Sequence, residues 1–310
     1  MSRKMSAFPV LPPLGIGCGT IALSSSQESF RDLVHYAVER ESCYLDTAPL
    51  YAKGQSEPRL GEILRDIPRS RYVVSTKTGR YPAPESVGNA TPIPSFFDYS
   101  HTGTLASLRR SLGYLGCGHI DIVFIHDLDR KHHGDGYPAL RDQALKGALP
   151  ALREAQEAGM IGHVGIASME WEACLDLVEH ADFEAVMIAG AVTLLDRYSA
   201  PLIDHCVRAE IDVIAASPFN SGILATGAID GAVYNFHTAP PEILNRVRSM
   251  DAACRRFGVP LVAAALQYPG RQPVIRSLVA GHASREQYVQ NRHLMSIAIP
   301  DALWDELDAL

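Results

Sequence analysis

Eight short runs rich in β-branched and apolar residues recur along the chain, each separated from the next by a longer stretch. They are LGIGCGT (14–20), CYLDTA (43–48), YVVSTK (72–77), IDIVFIH (120–126), HVGIAS (163–168), AVMIAG (185–190), DVIAAS (212–217) and VIRSLVAG (274–281). Runs of this length, apolar on both faces, read as strands covered on both sides. The stretches between them include SFRDLVHYAVERE, TLASLRRSLGYLG, ALPALREAQEAG and PLIDHCVRAE, whose apolar residues recur at three- and four-residue spacing, as in amphipathic helices. Gly116 and Gly159 offer left-handed caps at two of their ends.

Strict strand and helix alternation predicts an α/β fold with parallel strands, and eight repeats predict a closed (β/α)8 TIM barrel, a single domain over residues 1–310. The alternative, an open doubly wound sheet, would carry a Gly-rich turn opening a helix after its first strand. GIGCGT contains GxGxG, but no amphipathic helix starts there at once, so it reads as a tight first strand and turn.

The 310 residues are 47% hydrophobic and 20% charged, which suits a sizeable core and excludes a disordered or fibrous chain. A net charge of −7 speaks against nucleic acid and anionic membrane surfaces as partners. Six scattered cysteines without a CxxC pair predict buried free thiols. The N-terminal MSRKMSAFPVLPPLGIGCGT starts basic, but Pro9, Pro12 and Pro13 break its apolar stretch, making a poor signal peptide. No apolar run approaches membrane-spanning length. The expectation is a cytoplasmic protein, monomeric or weakly homo-oligomeric, acting on a small molecule.

Two connections are too long for turns: TGRYPAPESVGNATPIPSFFDYSHTG after the third run and SPFNSGILATGAIDGAVYNFHTAPPE after the seventh. Both follow strand C-termini, the barrel face on which sites are built. Asp46, Lys77 and His126 end the second, third and fourth runs, so a barrel brings them to one rim, with Tyr51 in the loop beside them. A phenol of pKa about 10 is a poor base at neutral pH, and a neighbouring ammonium lowers that value. Lys77 supplies the cation, Asp46 holds it in place, and His126 hydrogen-bonds a substrate oxygen or helps pass its proton. The group suits proton transfer at an alcohol or carbonyl oxygen coupled to hydride gain or loss at the attached carbon.

LDTAPLY with G-x-S-E-x-x-L-G from Gly54 to Gly61, STKTG (75–79), IDIVFIHDLD (120–129) and SPFNSGIL (217–224) together resemble the aldo-keto reductases, over nearly the whole chain to Asn291. The resemblance implies a barrel using a nicotinamide dinucleotide, with the catalytic tetrad on Asp46, Tyr51, Lys77 and His126. FFDYS (96–100), IHDLD followed by His132 and His133, AGAVTLLD (189–196), FNSGIL (219–224) and APPEIL (239–244) are most similar to the branch of D-threo-aldose 1-dehydrogenases, L-fucose and L-galactose dehydrogenases and pyridoxal 4-dehydrogenase. That branch implies oxidation of a cyclic hemiacetal hydroxyl to a lactone. The alternatives it leaves are pyridoxal oxidation and general aldehyde or ketone reduction.

By the same resemblance Ser217, Asn220, Ser221 and Gly222 contact the cofactor pyrophosphate, while Gly281, Ser284, Gln287 and Asn291 hold the adenosine end and Ser168 the nicotinamide. NADP-preferring relatives place a Lys or Arg where this chain has Gly281, Ala283 or Gln287, so NAD is expected. Arg285 leaves NADP open. Relatives hold the nicotinamide with Asn, Gln and an aromatic ring where this chain has Ala167 and Ser168, Ala189 and Ala216.

Tyr81, Phe96, Phe97, Tyr99, His101, Trp171 and Phe236 sit in the rim loops, and of these Tyr81, Phe97, Tyr99 and Trp171 are the candidate contacts for a sugar or pyridoxal-like substrate. HDLDRKHHGD (126–135) carries three histidines and three aspartates, but barrel metallohydrolases spread their ligands over several strand ends, so no metal is expected. Two rival readings are a Schiff-base aldolase built on Lys77, which needs a neutral amine, and a non-catalytic cofactor-sensing subunit.

Overall fold

The computed structural model describes residues 7–40, 42–83 and 95–310. Eight parallel strands close into a barrel: β1 (Leu14–Gly17), β2 (Cys43–Asp46), β3 (Tyr72–Thr78), β4 (Ile120–His126), β5 (Ile161–Ser168), β6 (Ala185–Ala189), β7 (Asp212–Ala216) and β8 (Ile275–Gly281). Each expected run overlaps one of them, with β3 running one residue past its run to Thr78 and β5 starting two residues before its run at Ile161. Neighbours in sequence are neighbours in the sheet, and β1 closes the ring against β8 with Leu14 opposite Leu278 and Gly17 opposite Gly281.

Side-chain parity divides the apolar residues into two cores. Tyr44, Val73, Ile122, Phe124, Ala167, Ala185, Met187, Ile214 and Val279 form a small core in which alternate residues of the strands meet inside the barrel. The residues between them, such as Leu45, Val74, Val123, Ile125, Ile166, Ile188 and Ala280, join a larger core under the helices. The helices Gln27–Arg40, His101–Leu115, Leu149–Glu157 and Ala200–Ala209 match the expected periodic stretches, and Gly116 caps the second of them at φ 62°. The glycine-rich start departs from expectation. A helix, Cys18–Ser24, begins directly after β1 and buries Cys18, Ile21 and Ala22; two turns are too short to show a period in sequence.

The two long connections carry small hairpins on the C-terminal rim. Arg80–Pro82 pairs antiparallel with Ser95–Phe97, and Val233–Tyr234 pairs with His237–Thr238. The middle of the first connection, residues 84–94, lies outside the described residues.

Candidate active site

The inward rows of β2, β3 and β4 end in polar residues. Tyr44 is followed two residues on by Asp46, Val73 by Ser75 and Lys77, and Ile122 and Phe124 by His126, so parity alone puts Asp46, Lys77 and His126 in the top layer of the interior. All three are nearly fully buried. Lys77 Nζ donates to both Asp46 carboxylate oxygens, at 2.8 and 2.7 Å, and to the Thr47 carbonyl at 2.9 Å. The Ser75 hydroxyl donates to Asp46 Oδ1 at 2.7 Å and lies 2.9 Å from the Tyr44 hydroxyl. Tyr51 reaches the same spot from the loop after β2. Its ring centroid is 4.5 Å from Lys77 Nζ and 5.8 Å from the His126 ring, edge to face. Ala52, Lys53 and Gly54, next in sequence, all take left-handed backbone, a bend that turns the chain away immediately after the phenol.

The glycines of GIGCGT make room for these rings. A Cβ on Gly15 would lie 2.7 Å from the Tyr44 ring, and one on Gly19 would lie 3.2 Å from the Tyr51 ring. Two of the three glycines thus give steric clearance to tyrosines, while Gly17 lies against the Ala280 carbonyl of β8.

Burial works to discharge Lys77, but the charge of Asp46, the contact with Tyr51 and the hydrogen bonds outweigh it, and its pKa is raised. A firmly charged ammonium is the opposite of what a Schiff-base nucleophile needs. Burial raises the Tyr51 pKa above the usual phenol value; Lys77 pulls it down but does not prevail, which corrects the expectation of a lowered phenol. Burial also lowers His126 to about 4, against the opposing pull of Asp127, so the imidazole is neutral at physiological pH. The resting site therefore combines a neutral phenol, a neutral imidazole and a charged ammonium held by a carboxylate.

The inward rows of the other five strands end in the smallest residues: Gly17, Ala167, Ala189, Ala216 and Gly281. Polar groups on one half of the mouth thus face small residues on the other, where Thr20 lies against Gly281 and Ala189 and Ala216 are half-buried. Beside the mouth, Asn220 (φ 46°), Ser221 (φ 65°) and Gly222 (φ 109°) form a left-handed turn that closes on itself, with Asn220 N and Gly222 N donating to the Ser217 and Phe219 carbonyls at 3.5 and 2.9 Å.

The individual side chains divide. Ser217, Ser221, Gly281 and Gln287 are exposed along the rim, and Gly222, Ser284 and Asn291 partly so. Ser221 Oγ accepts from Phe236 N at 3.0 Å, Ser284 caps the helix Arg285–Met295, and Gln287 Oε1 accepts from Ala283 N at 2.8 Å. Asn220 departs from its expected role: it is buried, and its Nδ2 donates to Gly190 O, Asp196 Oδ2 and Asn235 Oδ1 at 3.2, 2.7 and 3.2 Å, bracing the rim from within. Ser168 departs too. It has the outward parity of Val164 and Ile166, and its hydroxyl donates to Asp129 Oδ2 at 2.6 Å.

On the substrate side, Tyr99 is fully buried, its hydroxyl donating to the His126 and Asp127 carbonyls at 2.9 and 3.2 Å, so it shapes the end of β4 without reaching the mouth. Tyr81 is likewise buried and bonded to Thr78 Oγ1 and Gly79 N. Phe97 is partly exposed between Arg80 and His133, and Trp171 opens the helix Trp171–His180, half-buried against the outer core.

Two charged residues absent from the expected site stand next to the tetrad. Arg80 Nη1 lies 2.5 Å from Asp127 Oδ2 and 2.9 Å from His132 Nε2, and Asp127 Oδ2 lies 3.4 Å from His126 Nε2. The sequence signal was a lone arginine after Lys77 facing the acids of HDLD. Asp127, Asp129 and His132 do bring three ligand-type atoms within 4.8 Å of one another. Arg80 holds two of those side chains, and Ser168 and His132 bond to Asp129, so protein donors already satisfy the cluster.

The structure is a parallel eightfold barrel with a buried cluster of acid, ammonium, phenol and imidazole groups at its C-terminal mouth. The Aldo/keto reductase family profile matches residues 13–310, and the chain belongs to that family of oxidoreductases, which use nicotinamide cofactors. It is 35% identical to a D-threo-aldose 1-dehydrogenase of Pseudomonas sp over 96% of this chain and 93% of that one. It is 33% identical to a pyridoxal 4-dehydrogenase of Microbacterium luteolum over 85% and 82% of the two chains. Among solved structures, an aldo-keto reductase from Bacillus halodurans in its holo form superposes with a TM-score of 0.79 at 19% identity, covering 96% of this chain and 92% of that one, a likeness of fold.

Proposed function

We propose that the chain is an NAD-dependent aldose 1-dehydrogenase that oxidises the C1 hemiacetal hydroxyl of a sugar such as L-fucose, L-galactose or D-arabinose to a lactone. The observation that carries this reading is Tyr51 set over charged Lys77 and beside neutral His126 at the C-terminal mouth of the barrel. In oxidation Tyr51 takes the hydroxyl proton. Lys77 stabilises the phenolate form needed for that step, Asp46 fixes Lys77, and His126 donates a hydrogen bond from Nε2 to the reacting oxygen. When bound, the nicotinamide supplies the two-electron acceptor for the attached carbon.

Ser217, Ser221 and Gly222 would hold the pyrophosphate, and Gly281, Ser284, Gln287 and Asn291 the adenosine end. The preference for NAD is supported by the engagement of Arg285, the cation nearest that end in sequence. It lies 3.2 Å from Asp32 and over the Tyr36 ring at 4.4 Å. Free cysteines suit a reducing cytoplasm, and among the described residues no helix is long and apolar enough to cross a membrane.

The deciding experiment assays L-fucose, L-galactose, D-arabinose and pyridoxal, each with NAD and NADP, by the absorbance of the reduced nicotinamide. Tyr51→Phe is expected to lower kcat by about 10²–10⁴ while leaving cofactor binding intact. Substantial turnover in that variant would remove Tyr51 from the chemistry. Tight cofactor binding with no turnover of any substrate would instead favour a sensing subunit.

A further inference from the structure

Asp127 follows His126 in sequence, so a continuing strand would turn its side chain away from the mouth. It does not continue: Asp127 has φ 50°, a left-handed conformation uncommon for residues with a side chain although Asp adopts it more readily than most, and its surroundings hold it there. Those surroundings are built from three elements. Asp127 N donates to the Ala167 carbonyl at 2.8 Å, the buried Tyr99 hydroxyl holds the carbonyls of both His126 and Asp127, and Arg80 from the rim hairpin binds Oδ2. The result swings the carboxylate back beside the imidazole, 3.4 Å from Nε2, with 11% of the Asp127 side chain and 16% of the Arg80 side chain still accessible.

An oxygen that accepts from His126 Nε2 must then lie close to the Asp127 carboxylate. In a cyclic aldose the reacting O1 has two oxygens attached through neighbouring bonds: the ring oxygen, which only accepts, and the 2-hydroxyl, which can donate. A carboxylate only accepts, and it retains lone pairs after binding one arginine N–H. It therefore attracts the 2-hydroxyl and repels the ring oxygen, fixing which way round the sugar ring enters.

We propose that Asp127, oriented by Arg80 and Tyr99, is a specificity-determining residue that accepts a hydrogen bond from the hydroxyl next to the oxidised one, making the substrate class cyclic hemiacetals with a free 2-hydroxyl. This rests on the reading above, in which the reacting oxygen sits between Tyr51 and His126.

The test compares the best aldose substrate with its 2-deoxy counterpart in the wild type, Asp127→Asn and Asp127→Ala. The wild type is expected to favour the 2-hydroxy sugar at least about tenfold in kcat/KM, since a hydrogen bond to a charged acceptor is among the stronger ones and a site built to make it discriminates against the analogue that lacks the hydroxyl. Asp127→Ala is expected to shrink that ratio to within about threefold, and calorimetric titration of the matching lactone pair should show the same narrowing without any turnover. Should Asp127→Ala fail to fold, Asp127→Asn keeps the volume and loses the charge, and a smaller narrowing is expected. A wild type indifferent to the 2-hydroxyl, or variants that lose equally on both sugars, would overturn the assignment while leaving the dehydrogenase reading in place. Failure of the wild type to oxidise any aldose would overturn the dehydrogenase reading and this assignment with it.

Discussion

The pair Asp46 and Lys77 is almost inaccessible, and breaking such a pair by removing one partner typically costs about 3–5 kcal/mol because the other charge is stranded. Its value lies in what it does to Tyr51: it holds an ammonium, paired with Asp46, against the phenol, where Lys77 works against the burial that keeps the phenol neutral. Because burial still prevails, Tyr51 is protonated well past neutral pH. The phenol as it stands can donate to a carbonyl oxygen, whereas oxidation needs the phenolate. Oxidation rates should therefore rise about tenfold per pH unit between roughly pH 7 and 10, while reduction stays level over the same range. Steady-state rates in both directions across that range check this, and a flat oxidation profile would mean that another group is the base. His126, neutral down to about pH 4, contributes no slope of its own there.

At the scale of elements, Tyr51 depends on the helix Ser56–Leu64 that follows its loop, and that helix depends on Gly61. A Cβ there would lie 1.8 Å from the Tyr114 carbonyl oxygen, so the helix lies directly on the backbone of His101–Leu115. Gly61→Ala is expected to cost about 1–3 kcal/mol, read as a lower urea midpoint, and to reduce kcat because the loop moves with the helix. An unchanged midpoint would show that the two helices separate freely. Elements of this kind were unevenly legible. The strands and longer helices could be read because hydrophobic periods accumulate over several residues. The hairpins of two or three residues, and the helix Cys18–Ser24, could not, because distant parts of the chain decide them. GxGxG lies in a closed barrel and not a doubly wound sheet, but the ground for that reading failed, since a helix does start at Cys18, and the clearance that Gly15 and Gly19 give Tyr44 and Tyr51 needed coordinates.

On the scale of the molecule, the final helix Asp301–Asp308 ties separate parts of the barrel together. Leu303, Trp304 and Leu307 are buried, Arg271 binds Asp308 through two hydrogen bonds at 2.9 and 2.8 Å, and Arg197 reaches the Leu307 carbonyl at 2.8 Å. Removing residues 301–310 re-exposes three large side chains worth about 1.5–3 kcal/mol each, comparable with the whole stability of a typical domain. The truncated chain is expected to melt at least about 10 °C lower by circular dichroism, and an unshifted transition would show that the helix is dispensable.

The sequence by itself determined the order of the strands, their closure and, through two-residue parity, which side chains reach the top of the barrel; Asp46, Lys77 and His126 follow from that, as does the small-residue half at Ala189 and Ala216. Local periodicity is written into neighbouring residues. Only the tertiary structure decided that Tyr81, Tyr99, Ser168 and Asn220 turn to structural partners, that Arg80 meets Asp127 across 47 positions of chain, and that the phenol stays protonated. Burial and long-range pairing are properties of closed space, fixed only when the ring of strands shuts and water leaves the mouth.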